Sequence, residues 1–327
     1  MMTDRAPRRI LVLGGTGTIG RATARVLVAR GHDVVCLVRR APDPCVGADL
    51  DGAELRLCDV TDPASLARDG IRGERFDVVL SCLASRTGAP EDAWRIDHDA
   101  HVGALKEAKA AGIPHMILLS AICVQKPKLE FQRTKLAFET KLIESGIDYT
   151  IVRPTAFFKS LSGQVERVRQ GKRFVMFGDG TLTACKPISD DDLAAYLADC
   201  IDNPERRNRI LAIGGPGEAI TPRMQGEQLF AMLGQTPRFR QVPVALLDAI
   251  ILALATAGRF VPALRAKAEL ARIGRYYATE SMLVLDPETG RYDADATPST
   301  GSETLFDYYR RLLRSEATAE RGEHAVF

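Results

Sequence analysis

Long apolar runs, net charge and paired cysteines are all scarce in this chain of 327 residues, and each scarcity removes a class of function. The longest apolar stretch, Val244–Ala257, is fourteen residues interrupted by Asp248, short of the roughly 20 that a bilayer-spanning helix needs. No transmembrane segment is expected. The stretch reads first as a buried core helix, with peripheral membrane contact or the lining of an apolar pocket as alternatives. Forty-four basic against forty-two acidic residues leave a formal charge of +2, and without long Lys/Arg blocks nucleic acid is not an expected partner. The seven cysteines are odd in number and none stands as Cys-x-x-Cys. Neither a disulfide framework nor an iron–sulfur cluster is indicated, and they read as small hydrophobes. Residues 1–9 carry charge but no apolar signal core, which points to a cytoplasmic location. His98 and His101 lie three apart in a helical stretch with no third ligand, so no metal site is expected.

What the chain does have is hydrophobic bulk, 46% of residues against 26% charged. That suffices for a sizeable core and, at this length, about two units of roughly 100–200 residues. Arg9–Leu13 is a short aliphatic run ending at glycines, and residues 22–29 repeat apolar side chains at helical spacing. Further buried runs at 34–38, 54–57, 76–81, 115–120 and 149–152 alternate with helices predicted at 62–68, 92–111 and 129–145. Continuous apolar strands alternating with helices argue a parallel sheet covered on both faces: an α/β, doubly wound sheet of the Rossmann type over residues 1–154. After Pro154 short runs at 174–177, 209–213 and 282–285 alternate with helical stretches at 190–201, 224–233, 245–257 and 264–276. Residues 155–314 are expected to form a smaller, mainly substrate-binding domain, some of whose segments are free to return to the sheet. Residues 286–301, rich in Asp, Thr, Pro and Gly, read as a loop before a last helix at 303–313, and 315–327 as a flexible polar tail.

Gly14-Gly15-Thr16-Gly17-Thr18-Ile19-Gly20 sits between the first strand and the first helix. A glycine at the strand end allows the tight turn, the middle one lets backbone approach a pyrophosphate, and the last permits close helix packing, while the helix N-terminus supplies N–H groups. Gly14, Thr16, Gly17, Thr18, Ile19 and Gly20 are therefore candidate nucleotide ligands. An acid at the end of the second strand would bind a free ribose 2′-hydroxyl, but Val38 is followed by Arg39 and Arg40. Their guanidinium groups suit a 2′-phosphate, so NADPH is favoured over NADH. Asp59 and Val60, after the third strand, are placed for adenine. Cys82, Leu83 and Ala84, after the fourth, leave room for the cofactor where the strand order reverses.

These features resemble the short-chain dehydrogenase/reductase superfamily, in its atypical branch near isoflavone-reductase-like proteins. That pattern carries a Ser after the fifth strand and a Tyr-x-x-x-Lys pair on the next helix. Here Ser120 and Phe131-Gln132-Arg133-Thr134-Lys135 take those places. The resemblance implies that Ser120, Lys135 and Pro154 contact the cofactor and that Lys135 is the catalytic residue, binding the nicotinamide ribose and lending positive potential. A phenyl ring at 131 delivers no proton, so tyrosine-dependent carbonyl chemistry, as in epimerases and alcohol dehydrogenases, is not expected.

Three longer segments, residues 131–139, 152–160 and 286–301, are similar to a narrower family, the NADPH-dependent 8-vinyl-reductases of divinyl chlorophyllide. That resemblance implies reduction of the 8-vinyl group of a magnesium chlorin to ethyl in chlorophyll or bacteriochlorophyll synthesis, at or near the photosynthetic membrane. Reducing a conjugated C=C spreads charge into the macrocycle, so a strong oxyanion donor matters less. Lys135, Ser120 and bound water stand as proton donors, with water first because no Tyr or His is well placed. Phe157 and Phe158 are expected against the flat ring, and Lys159 or Arg153 against its propionate. Two other readings remain beside this one: a non-catalytic, NADP-binding redox sensor, and another atypical reductase of an activated C=C.

Overall fold

The computed structural model describes residues 6–314; the tail read at 315–327 lies outside the described residues. Aliphatic side chains run unbroken through the central strands because both faces of the sheet are covered. In chain order the longer strands are β1 (Arg9–Leu13), β2 (Asp33–Val38), β3 (Glu54–Leu57), β4 (Val78–Ser81), β5 (His115–Leu119), β6 (Asp148–Pro154), β7 (Phe174–Phe177), β8 (Arg209–Ile213) and β9 (Phe239–Val242), and two-residue strands Val284–Leu285 and Tyr292–Asp293 pair antiparallel. Seven of them form one sheet in the order β3-β2-β1-β4-β5-β6-β8, all parallel. Leu13 is level with Leu37 and Ser81, Ser81 with Leu118, and Leu119 with Val152. The loops leaving these strands therefore emerge on one rim. The order reverses between β1 and β4, which opens the crevice where such sheets bind ligands.

The helices that matter for the site are α1 (Thr18–Ala29), α2 (residues 90–110), α3 (Glu130–Ile143), α4 (Asp190–Asp202), α5 (Val244–Ala257), α6 (Pro262–Thr279) and α7 (Leu305–Leu313). Side chains of α1 and α4 close one face of the sheet over Ile10, Val12 and Leu80. Those of α2 and α3 close the other over Leu11, Leu13 and Val79. Both α4 and β8 come from beyond residue 154, so the sheet layer draws on both halves of the chain. A third core, holding Phe174, Phe230, Tyr276 and Tyr309, lies among the remaining elements. There β7 pairs in parallel with β9. Sequence periodicity passes over β9 because Phe-Arg-Gln-Val has no buried residue and so no alternation to read. The loop at 286–301 is pinned to the end of β8: Gly214 N–H donates to the Pro298 carbonyl at 2.8 Å and Thr300 N–H to that of Gly214 at 2.9 Å.

The largest departure from expectation is α5, which is not a core helix. None of its residues is buried. It packs against α6 and pairs Asp248 with Arg275 there, leaving Leu246, Ile250 and Leu252 exposed, the last at 70%. A helix that is apolar all round has no polar face from which its orientation can be read. No helix among the described residues is long and apolar enough to cross a membrane.

Candidate functional site

The glycines of the loop after β1 divide into two kinds. Gly14 has φ +75°, and a Cβ there would stand 2.8 Å from the Cys82 carbonyl and the Leu83 nitrogen; one at Gly20 would stand 2.1 Å from the Gly14 oxygen. Backbone packing alone demands both. At Gly17 a Cβ would meet only the Gly14 oxygen, at 3.4 Å, so its missing side chain leaves space above the start of α1 rather than relieving a clash. That helix end has no side-chain cap and no acid in its first turn, and its N–H groups stay available to an anion. The residues present fit a nucleotide pyrophosphate.

Arg39 and Arg40 leave β2 exposed. At the neighbouring β3 exit the Thr61 hydroxyl and amide, at 2.7 and 2.9 Å, hold the Asp59 carboxyl below the usual range, and the nearby Arg39 charge adds to this. Val60 is 6% exposed and its side chain belongs to the core, so only its backbone can face a ligand. Burial pushes the Cys82 thiol up to about 12, which leaves it a neutral wall. Leu83 N–H donates to Ser81 Oγ at 3.3 Å, and Ala84 is exposed. With Ser120 after β5 and Pro154 ending β6, these residues share the rim.

Helix α3 carries two buried ion pairs one turn apart. Lys135 Nζ donates to Asp97 Oδ1 at 2.8 Å, with side chains 13% and 0% exposed. Asp97 also accepts from Ser85 Oγ at 2.6 Å and Ser85 N–H at 3.2 Å, and it sits in a widened π turn, Trp94–Ala100, inside α2. Such turns are frequent at functional sites. Glu139, also buried, accepts from Ser120 Oγ at 2.5 Å and from the Arg153 guanidinium. The Ser120 proton is thereby directed at a carboxylate, and Arg153, read as a partner for a propionate, is committed to Glu139 instead. His101 is buried, with Nδ1 on the Ile96 carbonyl at 2.9 Å and Nε2 on Ser81 Oγ at 2.8 Å. Burial pushes its pKa down to about 4, so it is neutral and fully bonded. The described residues hold no group of three or more side chains suited to a metal ion. Phe131 is partly buried against the third core, and the Tyr277 hydroxyl lies 3.9 Å from Cys123 Sγ.

Residues 14–204 match a family model described as NAD(P)H-binding. Over 332 residues the chain is 48% identical to the chloroplastic divinyl chlorophyllide a 8-vinyl-reductase of Zea mays, covering 97% of this chain and 82% of that protein. With the Cucumis sativus protein of the same name the identity is 50%, over 97% and 79%. The chain belongs to the divinyl chlorophyllide a 8-vinyl-reductase family. An NADPH-dependent quinone oxidoreductase of Escherichia coli, solved with NADPH, shares the fold at a TM-score of 0.68 and 19% identity, over 93% of this chain and 99% of that one. In this member of the 8-vinyl-reductase family, residues 14–204 are an NAD(P)H-binding unit.

The three aromatic and basic residues after β6 that are expected as substrate contacts separate in the structure. Phe158 is 3% exposed, its ring 5.6 Å from that of Tyr308; it is a core residue, which corrects its reading as a surface for the substrate. Phe157 is partly buried against the sheet core. Lys159 Nζ reaches Thr18 Oγ1 at 2.7 Å, on the glycine loop. Motif spacing does not single out Asp97 and Glu139, although both carry a signal. Asp97 falls in the stripe Ala93, Ile96, Ala100, Ala104, and Glu139 beside Phe138 and Leu142, all buried. A carboxylate on a core-facing stripe needs a buried partner.

Proposed function

We propose that this chain reduces the 8-vinyl group of divinyl chlorophyllide a to ethyl with NADPH. The identity of 48–50% across 97% of the chain to reductases of that name carries the reading. When bound, NADPH supplies the hydride. Gly14, Thr16, Gly17, Thr18, Ile19 and Gly20 receive its pyrophosphate, Arg39 and Arg40 its 2′-phosphate, and Asp59 with the Val60 backbone its adenine. Cys82, Leu83, Ala84, Ser120 and Pro154 border the nicotinamide end. Lys135 binds the nicotinamide ribose and sets positive potential beside the conjugated system, and Asp97 holds that ammonium in place. Water is the proton source, because Phe131 has no proton to give, that of Ser120 is directed at Glu139, and the His101 Nδ1 proton is held by a carbonyl. Mixing the protein with divinyl chlorophyllide a and NADPH should give the absorption shift of vinyl reduction. An unchanged spectrum would remove this reading and favour the non-catalytic sensor.

The same reading includes a peripheral place on the photosynthetic membrane. Leu252 at 70% and Phe260 at 86% exposure give the α5–α6 hairpin an apolar tip. Five basic against two acidic residues lie between 244 and 279, the mixture that suits an anionic lipid surface. Co-sedimentation with anionic vesicles should be strong for the native chain and lost in the Leu252→Glu/Phe260→Glu variant; equal sedimentation of both would refute the contact.

A further inference from the structure

Helix α1 opens at Thr18 with Gly17 as its N-cap, and neither a capping side chain nor an acid in the first turn offsets the positive end of its dipole. Onto this end the fold brings a lysine from 141 residues further along the chain, Lys159 Nζ donating to Thr18 Oγ1 at 2.7 Å. A cation beside a helix N-terminus is repelled. No carboxylate among the described residues lies within 4 Å of this ammonium to compensate. Asp190 and Asp191 line the same cavity as Thr18 and Lys159, but Asp191 is paired with Arg25 at 2.5 Å. Backbone on either side of Lys159 is fixed: Phe158 N–H donates to the Ile188 carbonyl and Ser160 N–H to that of Phe157, while the Phe158 ring is in the core. The ammonium is thus held over the helix end by its surroundings, and two positive groups converge on one point.

We propose that Lys159 is a ligand of the cofactor pyrophosphate, closing over the glycine loop from the far side of β6. This rests on the NADPH reading above and moves Lys159 from the substrate to the cofactor. The chemistry of the pair suits an anion. Thr18 Oγ1 accepts from the ammonium and so keeps its own proton to donate, and Lys159 has two further N–H groups. A dianionic pyrophosphate between them would neutralise both the ammonium and the helix end.

The test titrates the full-length native chain, Lys159→Ala and Lys159→Arg with NADP+ and with 2′-AMP, which shares the adenosine 2′-phosphate but has no pyrophosphate. Loss of one charge-assisted hydrogen bond should weaken NADP+ binding by Lys159→Ala about tenfold or more and 2′-AMP binding less than about twofold, with Lys159→Arg close to native. Unchanged NADP+ affinity in Lys159→Ala would overturn the proposal. So would equal losses on both ligands, which would mean a distorted loop, or a loss confined to divinyl chlorophyllide, which would return Lys159 to the propionate. A native chain that binds neither nucleotide would instead sink the cofactor reading itself.

Discussion

Strand β1 and helix α5 are written in the same aliphatic alphabet, Arg-Ile-Leu-Val-Leu in one and Val-Ala-Leu-Leu-Asp-Ala-Ile-Ile-Leu-Ala-Leu-Ala-Thr-Ala in the other. Leu11, Val12 and Leu13 are at most 1% exposed, whereas Leu252 is 70% exposed. Leaving such a side chain in water forgoes about 1.5–3 kcal/mol, so the contrast asks what each segment has for a partner. β1 is flanked by β2 and β4 in parallel register and covered on both faces. Among the described residues α5 has α6 and little else. Apolarity states that a segment is stabilised by burial; topology decides whether the burying surface is protein. In the sheet half it is; for the hairpin, the lipid surface proposed above would be the partner.

The sharpest break in the pattern of the sheet half is the pair Lys135–Asp97, an ion pair on otherwise core-facing helix stripes. Lys135→Ala should lower turnover about 10²- to 10³-fold, the scale of losing one electrostatic stabiliser. It also leaves the buried Asp97 carboxylate without its cation, held by Ser85 alone, which costs about 3–5 kcal/mol of stability. The variant Lys135→Ala/Asp97→Asn should regain most of that stability in a thermal melt and none of the activity. Near-normal vinyl reduction in either variant would remove Lys135 from the chemistry.

Next in size is the glycine loop, where one position is needed by the fold and another by the ligand. Gly17 has φ −76°, open to any residue, so Gly17→Ala should leave the melting temperature unchanged or slightly higher while weakening NADP+ binding roughly tenfold or more. Gly20→Ala, which drives a Cβ to 2.1 Å from the Gly14 oxygen, should lose stability and binding together. Equal behaviour of the two would erase the distinction.

Acid separates the two halves of the chain as well. Burial pushes both His101 and His115 down to about 4, and the described residues after Pro154 include no histidine. The unfolded chain takes up these protons near pH 6.5 and the folded one only near 4. The stability they represent, about 3 kcal/mol each, is therefore fully present above pH 6.5 and lost as pH falls toward 4. Hydrogen exchange should show the sheet loosening in that window before the third core does. His115→Leu should flatten the pH slope, and an unchanged slope would assign the acid sensitivity elsewhere.

The sheet was legible because its central strands are continuous apolar runs separated by helical stretches. The glycine loop was legible for the same reason, since it sits at a strand end. What was not legible depends on pairs far apart in the chain. Asp97 meets Lys135 across 38 residues and Lys159 meets Thr18 across 141, and no local periodicity encodes either. Phe158 is ambiguous in the sequence because an aromatic beside a specific motif reads equally well as a pocket wall or a core residue, and its burial against Tyr308 decides.

The smallest effect should come from the position that departs most visibly from the superfamily pattern. Phe131→Tyr restores the missing phenol, and a working general acid is worth about 10²- to 10⁴-fold where proton transfer limits the rate. Here the ring lies partly buried against the third core, and the charge that develops on a conjugated vinyl group spreads through the macrocycle instead of gathering on an oxygen within reach of a hydroxyl. Water supplies the proton in this scheme, so kcat in Phe131→Tyr should stay within about threefold of the native chain, and Tyr277→Phe should be as mild. A gain approaching a hundredfold in Phe131→Tyr would mean that the tyrosine geometry survives intact beside Lys135 and that proton delivery, not hydride transfer, sets the rate.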